Sequence, residues 1–137
     1  MSVKTLTING QMVSAREEDT ILQAAQEAGI PIPVLCHLDG ITDVGACRMC
    51  LVEITGNNKL LPACTTKVQE GMEVKTHSDR LRGYRRQIVE LLFAERNHIC
   101  AACVASGHCE LQNAGVAVGM DHVRFDYMFP LLKVDVS

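Results

Sequence analysis

The first four cysteines of this 137-residue chain are spaced as metal ligands. Cys36, Cys47, Cys50 and Cys64 are separated by ten, two and thirteen residues. Cys47 and Cys50 flank only two residues in a predicted loop, so both sulfur atoms can turn towards one centre. Four thiolates suit an iron–sulfur cluster, which is held mainly by cysteine.

The remaining three cysteines and one histidine form a second set of four. His98, Cys100, Cys103 and Cys109 are separated by one, two and five residues. Three cysteines this close together can hold three corners of a cubane cluster, which leaves the fourth corner for His98. Imidazole is neutral and thiolate is not, so this exchange is expected to raise the reduction potential. The chain is therefore interpreted as an electron carrier.

Other interpretations of these residues remain open. His108, next to the last cysteine, is a rival ligand, the alternative being a surface histidine in a loop. His37, beside Cys36, is also interpreted as a surface histidine. A Cys-x2-Cys pair is equally half of a zinc knuckle, so a zinc-stabilised interaction module without a redox role is a competing hypothesis. Inert buried cysteines fit less well, because the four cysteines lie in glycine-rich loops and two of them form a Cys-x2-Cys pair. Gly40 and Gly45 would also let backbone N–H groups approach a cluster.

Composition and charge restrict the class of protein. The formal net charge is −3 and there is no basic stripe, so we expect no nucleic-acid partner. The longest apolar stretches, around residues 88–94 and 116–120, are too short to span a membrane. The N-terminus alternates apolar and polar residues and lacks the apolar segment of a signal peptide, so we expect a cytoplasmic protein. In a reducing compartment, seven cysteines indicate metal binding more than disulfides.

Hydrophobic periodicity predicts an α+β protein. Strands are predicted at residues 3–7, 12–15, 51–55, 60–64 and 72–76. Asn9-Gly10 between the first two strands predicts a hairpin turn. Residues 21–28 predict a short helix with acidic residues in its first turn and Gly29 after its end. Two strands, a helix and further strands are the order of a β-grasp sheet wrapped over one helix.

From Ser78 onwards the periodicity becomes helical. Ser78 can cap an amphipathic helix that extends to Glu95 and whose apolar residues recur at spacings of three and four from Leu81 to Leu92. Its arginines are interpreted as a solvated face, with docking of an acidic partner as the alternative: Arg80, Arg82, Arg85 and Arg86. We therefore predict one domain over residues 1–78, a small helical domain over 79–120 and a tail over 121–137.

Three segments closely resemble one protein family: CHLDGITDVGACRMC, LLPAC and LLFAERNHICAACVASGHCELQ. The family is the diaphorase small iron–sulfur subunit of Hox-type, bidirectional NAD(P)-linked [NiFe] hydrogenases. More distantly, the chain is similar to the N-terminal part of the large iron–sulfur subunit of complex I and of iron-only hydrogenases. The single residue between His98 and Cys100 resembles the hydrogenase branch, because complex I relatives usually have three there.

The resemblance implies ligands for two clusters. It implies a plant-type-ferredoxin-like β-grasp domain with a [2Fe–2S] cluster on four cysteines, Cys36, Cys47, Cys50 and Cys64. It implies that the helical domain holds a [4Fe–4S] cluster on one histidine and three cysteines, His98, Cys100, Cys103 and Cys109.

The resemblance also implies a function for the chain as an oxidoreductase subunit. It would relay electrons between a flavin-containing NAD(P)H-oxidising subunit and the hydrogenase small subunit, with ferredoxin as a further candidate partner. The equivalent part of a complex I-type NADH:quinone oxidoreductase is the alternative. No dinucleotide, phosphate-loop or nucleophile motif is present, so we expect no catalytic residue and no substrate site in the chain itself. Relatives continue into a ferredoxin-like domain, and residues 121–137 of this sequence are interpreted as the tail that leads to it.

Overall fold

The computed structural model describes residues 2–95 and 98–126 and divides the chain into two compact units, Met1–Arg82 and Gly83–Ser137. The apolar tail that begins at Tyr127 lies outside the described residues. In the part of the chain that is described, no helix is long and apolar enough to cross a membrane. The domain limits at residues 78 and 120 stay predictions.

The first unit is a mixed five-stranded sheet that packs on one helix. Its elements are β1 (Val3–Ile8), β2 (Gln11–Arg16), α1 (Ile21–Glu27), β3 (Leu51–Ile54), β4 (Leu61–Pro62) and β5 (Glu73–Lys75). The strand order is β2-β1-β5-β3-β4, in which β1 and β5 are parallel and the other pairs antiparallel. The predicted α+β class, with one sheet over one helix, is confirmed.

The turn between β1 and β2 is fixed by local sequence and by a distant contact. Asn9 and Gly10 have φ angles of 53° and 83°, as a two-residue hairpin turn requires. The Asn9 amide donates to Thr76 Oγ1 at 2.7 Å, and the Thr76 N–H donates back to Asn9 Oδ1 at 2.9 Å. The hairpin is therefore tied to the chain just after β5.

The start of α1 differs from the prediction. The acidic residues lie before the helix, and its first turn contains none. Thr20 caps the helix instead: its hydroxyl accepts the Gln23 N–H, while the Gln23 side chain accepts the Thr20 N–H. The buried face of α1 joins the sheet in one apolar core, which includes Leu6, Ile8, Ile21, Leu22, Ala25, Val52 and Val74. Burial of these side chains is the main stabilisation of the unit.

The second unit is helical. It contains most of α2 (Asp79–Glu95), a 3₁₀ turn at Cys100–Ala102 and α3 (Glu110–Ala117), which the sequence did not predict as a separate helix. Ser78 caps α2 as predicted, because its Oγ accepts the Leu81 N–H at 3.1 Å. The α3 backbone approaches α2 at Gly115, where a Cβ atom would lie 3.8 Å from the Phe93 ring. A Cβ atom would make only ordinary van der Waals contacts there, so the two helices lie close together without a strict requirement for glycine.

The prediction of a solvated arginine face on α2 is wrong at Arg85, which is only 3% exposed. Glu90, on the same helix, is fully buried and accepts hydrogen bonds from Arg124 Nη2 at 2.8 Å and Arg86 Nε at 3.3 Å. The hydrogen bond from Arg124, opposed by burial, lowers the pKa of Glu90, and Arg86 adds to the effect. Helical periodicity places charged residues outside because it contains no information about partners distant in sequence.

Candidate iron–sulfur sites

Cys36 and Cys47 face each other across a loop. The backbone N–H of each donates to the Sγ atom of the other, in both directions at 3.4 Å. Arg48 has a φ angle of 63°, and the chain turns there so that the Met49 N–H also donates to Cys47 Sγ at 3.5 Å. Backbone N–H groups directed at thiolate sulfur are a feature of iron–sulfur sites. Sequence reasoning predicted such an approach because the small residues Gly40, Gly45 and Ala46 lie in this loop; the N–H donors to these two sulfur atoms include those of Cys36, Cys47 and Met49.

Cys50 and Cys64 form the second pair, and the sheet places them together. Cys50 directly precedes β3, and Cys64 comes two residues after β4 ends. These strands pair with Leu51 opposite Pro62, and the Ala63 N–H donates to the Cys50 carbonyl at 3.0 Å. The two Sγ atoms therefore lie 3.3 Å apart, and both side chains are buried.

The two pairs interact with each other as one group of four thiols. Burial, the hydrogen bond with Cys50 and the nearby Cys50, Cys36 and Cys47 raise the pKa of Cys64 to about 12. Burial acts in the same direction on Cys36, but its hydrogen bonds from the Cys47 and Ala46 backbone prevail and lower its pKa. Such a group becomes fully ionised when a cation is bound, so these residues fit an iron–sulfur cluster.

The ten-residue gap between Cys36 and Cys47 is folded by its own side chains. Thr42 Oγ1 donates to the Cys36 carbonyl at 2.6 Å. The His37 side chain is only 7% exposed, so its interpretation as a surface histidine is wrong. Its Nε2 lies 2.7 Å from Asp39 Oδ1; its Nδ1 lies 2.9 Å from Asp43 Oδ1, at an angle that makes no hydrogen bond. The loop that carries the first ligand is thus internally braced.

Gly45 occupies the tightest position in this loop. Its φ angle is +62°, and a Cβ atom there would lie 3.0 Å from Thr65 Cγ2 and 3.9 Å from Cys64 Sγ. Gly40 has a φ angle of +72°, but a Cβ atom on it would meet nothing within 4 Å. Both positions therefore favour glycine because of their positive φ angles. At Gly45 the close packing beside Cys64, a predicted ligand, is a second reason.

In the second unit, the predicted histidine and cysteines line one cavity. The cavity has a volume of about 230 Å³, and its walls include all four predicted ligands, His98, Cys100, Cys103 and Cys109. Cys103 is exposed and the other three are half-buried. The cavity thus has soft and borderline ligands on its walls, a donor set that fits a cubane cluster. His108 is exposed.

His98 is held by the end of α2. Its Nε2 atom lies 3.1 Å from the Leu92 carbonyl oxygen, and its ring packs edge-on against Phe93 with centroids 4.9 Å apart. A second nitrogen is thereby left for a metal. Sequence reasoning identified His98 but not the two residues that orient it, because they look like ordinary apolar positions of a helix.

The predicted ligands are not grouped as they would be around a single metal ion. Across residues 2–95 and 98–126, no three histidine, cysteine or acidic side chains are grouped so that they could hold one metal ion. The four ligands of a [2Fe–2S] cluster are shared between two iron atoms, and the two cysteine pairs match this division.

Two family models match the chain, one for each unit. Residues 3–79 match the 2Fe-2S iron–sulfur cluster binding domain. Residues 85–124 match the NADH-ubiquinone oxidoreductase-G iron–sulfur binding region. The expectation of one [2Fe–2S] and one [4Fe–4S] cluster is confirmed by these two matches.

Curated relatives belong to redox complexes. The gamma subunit of the NAD-reducing hydrogenase HoxS of Cupriavidus necator is 41% identical over 135 residues, which cover 98% of this chain and 56% of that protein. The alpha subunit of a Geobacter sulfurreducens NADPH-Fe(3+) oxidoreductase is 38% identical over 140 residues, covering 96% of this chain and 17% of that protein. The chain thus spans about half of the first relative and a smaller part of the second.

A solved structure of similar fold comes from an NAD⁺-reducing [NiFe]-hydrogenase in the H₂-reduced state. The TM-score is 0.89 at 36% sequence identity, over 98% of this chain and 56% of that chain. The resemblance to hydrogenase iron–sulfur subunits, first inferred from three sequence segments, is confirmed by these comparisons.

Proposed function

Because this chain belongs to the 2Fe-2S iron–sulfur cluster binding domain family, we propose that it is an electron-transfer part of an NAD(P)-linked hydrogenase. The observation that carries this proposal is the presence of two sets of four candidate ligands in one short chain. One group consists of two cysteine pairs in the first unit, and the other lines a cavity in the second unit. Relatives that match nearly the whole chain are a subunit of an NAD-reducing hydrogenase and a subunit of an NADPH-Fe(3+) oxidoreductase.

The first unit would hold the [2Fe–2S] cluster. Its proposed ligands are the two cysteine pairs, Cys36, Cys47, Cys50 and Cys64. The loop presents the first pair at the half-buried side of the site, and the ends of β3 and β4 present the second pair inside the core. The backbone N–H groups that donate to the Sγ atoms of Cys36 and Cys47 would stabilise negative charge on these sulfur atoms. They would thereby raise the reduction potential of the [2Fe–2S] cluster.

The second unit would hold the [4Fe–4S] cluster in its cavity. The proposed ligands are one histidine and three cysteines, His98, Cys100, Cys103 and Cys109. Cys100 lies in the 3₁₀ turn, and Cys109 is the residue directly before α3. Cys109 occupies the N-cap position of α3 but makes no side-chain capping hydrogen bond, so its sulfur is available to a metal.

The chain would work between partners. Bound clusters exchange single electrons, whereas NAD(P)H delivers a hydride, so a flavin in another subunit must stand between them. The proposed partners are a flavin-containing NAD(P)H-oxidising subunit and the hydrogenase small subunit, with ferredoxin as a further candidate. The proposed location is the cytoplasm, a reducing compartment in which seven ligand cysteines would stay reduced.

A second candidate is the equivalent part of a complex I-type NADH:quinone oxidoreductase. The match of residues 85–124 to the NADH-ubiquinone oxidoreductase-G region favours it. The single residue between His98 and Cys100 favours the hydrogenase candidate. Co-purification with the tagged chain from its native host distinguishes the two candidates. A hydrogenase would bring nickel-containing subunits, and a complex I-type enzyme would bring quinone-reactive subunits.

The content of iron and sulfide tests the clusters themselves. Anaerobically purified chain is expected to be brown and to contain about six iron and about six acid-labile sulfide ions per chain. A colourless protein with zinc and no sulfide would favour the zinc-stabilised module and contradict the proposal.

Electron transfer is tested with defined donors. The isolated chain is expected to be reduced by dithionite but to oxidise no NADH, even with excess artificial acceptor. Adding the flavin-containing subunit should produce NADH-dependent bleaching of the visible absorption. NADH oxidation by the chain alone would contradict the relay.

A further inference from the structure

The side chain of Gln112 spans the loop between two proposed ligands of the second cluster. Its Oε1 accepts the Gly107 N–H at 3.0 Å, and its Nε2 donates to Ser106 Oγ at 3.3 Å. Both partners lie within the five residues that separate Cys103 from Cys109. One amide group thus binds the loop at two adjacent residues.

This loop has little else to hold its shape. Its backbone makes two tight turns, in which the Ser106 N–H donates to the Cys103 carbonyl and the His108 N–H donates to the Ala105 carbonyl, each at 3.1 Å. Its first residue, Val104, is 95% exposed. Gly107 has a φ angle of +92°, a conformation that glycine adopts readily in such a turn. Among the described residues, the side-chain hydrogen bonds of the loop are the two with Gln112.

The position of Gln112 in its helix explains why its amide is available. Gln112 is the third residue of α3, where a glutamine normally reaches back to the N-cap residue. Gln23 does this at the start of α1, together with the Thr20 hydroxyl. In α3 the N-cap is Cys109, whose sulfur makes no cap hydrogen bond, and the Gln112 amide reaches two residues further back, to Gly107.

Gln112 also lies in the wall of the site. It is half-buried and borders the 230 Å³ cavity together with Ser106 and the proposed ligands. A change in this amide therefore alters both the loop that spaces Cys103 and Cys109 and the polarity of the cavity wall.

We propose that Gln112 is a positioning residue of the second cluster site, whose amide fixes loop 104–108 so that Cys103 and Cys109 face the same cavity. The inference rests on the proposed function, because it requires a cluster in that cavity. Groups that orient metal ligands without touching the metal typically change metal affinity by tenfold or more.

The experiment uses the full chain, reconstituted anaerobically with iron and sulfide. Gln112→Leu keeps the size of the side chain and removes both hydrogen bonds. Gln112→Glu keeps the acceptor for the Gly107 N–H and can accept the Ser106 hydroxyl, but it adds a negative charge. Asn113→Leu, at the next and exposed residue of α3, is the matched control. The readouts are loss of iron to a chelator, the EPR signals of both clusters and their reduction potentials.

Gln112→Leu is expected to lose [4Fe–4S] iron roughly tenfold faster than the unaltered chain, with the [2Fe–2S] signal retained as an internal measure of folding. Gln112→Glu is expected to restore cluster retention but to lower the [4Fe–4S] potential, and Asn113→Leu to behave as the unaltered chain. Equal retention in Gln112→Leu, or failure of Gln112→Glu to restore it, would overturn the inference. Absence of a [4Fe–4S] signal from the unaltered chain would instead overturn the proposed function, and this inference with it.

Discussion

The Nε2 atom of His98 lies 3.1 Å from the carbonyl oxygen of Leu92, near the end of α2. A carbonyl oxygen can only accept a hydrogen bond, so Nε2 carries the proton and Nδ1 keeps the lone pair. The Phe93 ring, which packs edge-on against the imidazole, restricts its rotation. The helix therefore determines both the tautomer and the direction of the nitrogen that is left for a metal.

This relationship predicts that His98, and not His108, binds the second cluster. His98→Cys should retain a cluster but lower its reduction potential by on the order of 100 mV, because a thiolate adds negative charge. His108→Ala removes an exposed side chain and should leave the potential unchanged. Redox titration monitored by EPR measures both variants. A large shift in the His108 variant would reverse the assignment.

Gly45 and Gly40 provide a matched pair for the first site. Replacing either with alanine forces a side chain into a left-handed conformation, at a cost of about 1 kcal/mol or more. Only at Gly45 would the new Cβ also contact Thr65 and approach Cys64 Sγ. Gly45→Ala should therefore alter the [2Fe–2S] EPR g-values and reduce cluster content, while Gly40→Ala should lower stability alone. Identical spectra from the two variants would show that packing beside Cys64 is unimportant.

The buried Glu90 predicts a stability contribution that does not depend on pH in the neutral range. The Arg124 hydrogen bond lowers the pKa of Glu90 from its usual value near 4.5, so the folded state prefers the carboxylate. The resulting stability is fully present above that value and is lost only as the pH falls through the lowered pKa. Glu90→Gln should lower the Tm by roughly 5 °C, with the same difference from about pH 8 to pH 5.5. Thermal unfolding followed by circular dichroism measures it.

Glu95→Gln is the control for this prediction, because Glu95 is exposed near the end of the same helix. Its Tm should match that of the unaltered chain. A difference for Glu90→Gln that already disappears between pH 8 and pH 6 would mean that the pKa of Glu90 is raised in the folded state instead of lowered.

The first unit should bind its cluster without the second. All four proposed [2Fe–2S] ligands and all five strands lie before residue 78, and the compact unit ends at Arg82. Fragments 1–78 and 1–82 are both expected to become coloured on reconstitution and to show the [2Fe–2S] EPR signal alone. If both fragments stay colourless and unfolded while the full chain is loaded, the predicted boundary is wrong.

Sequence reasoning recovered the elements with strong local signals and missed those without them. The Asn9-Gly10 turn, the Ser78 cap and the order of strands and helices were predictable because turn and cap residues act on their neighbours. The separate helix α3 was missed, because its eight residues follow directly on a ligand and have no conventional cap. The burial of His37 and Arg85 was missed because charge alone suggested exposure.

The sequence by itself determined which atoms could bind metal in this protein, because ligand type and close spacing are local properties. It also predicted two ligand sets and the family to which they are similar. The tertiary structure alone decided how the predicted ligands pair: the register of β3 and β4 brings Cys50 Sγ to within 3.3 Å of Cys64 Sγ, fourteen residues further along the chain. It also decided that Arg124 binds Glu90. Such contacts depend on how whole helices and strands pack against one another. The residues next to each contacting side chain in the sequence do not specify that packing.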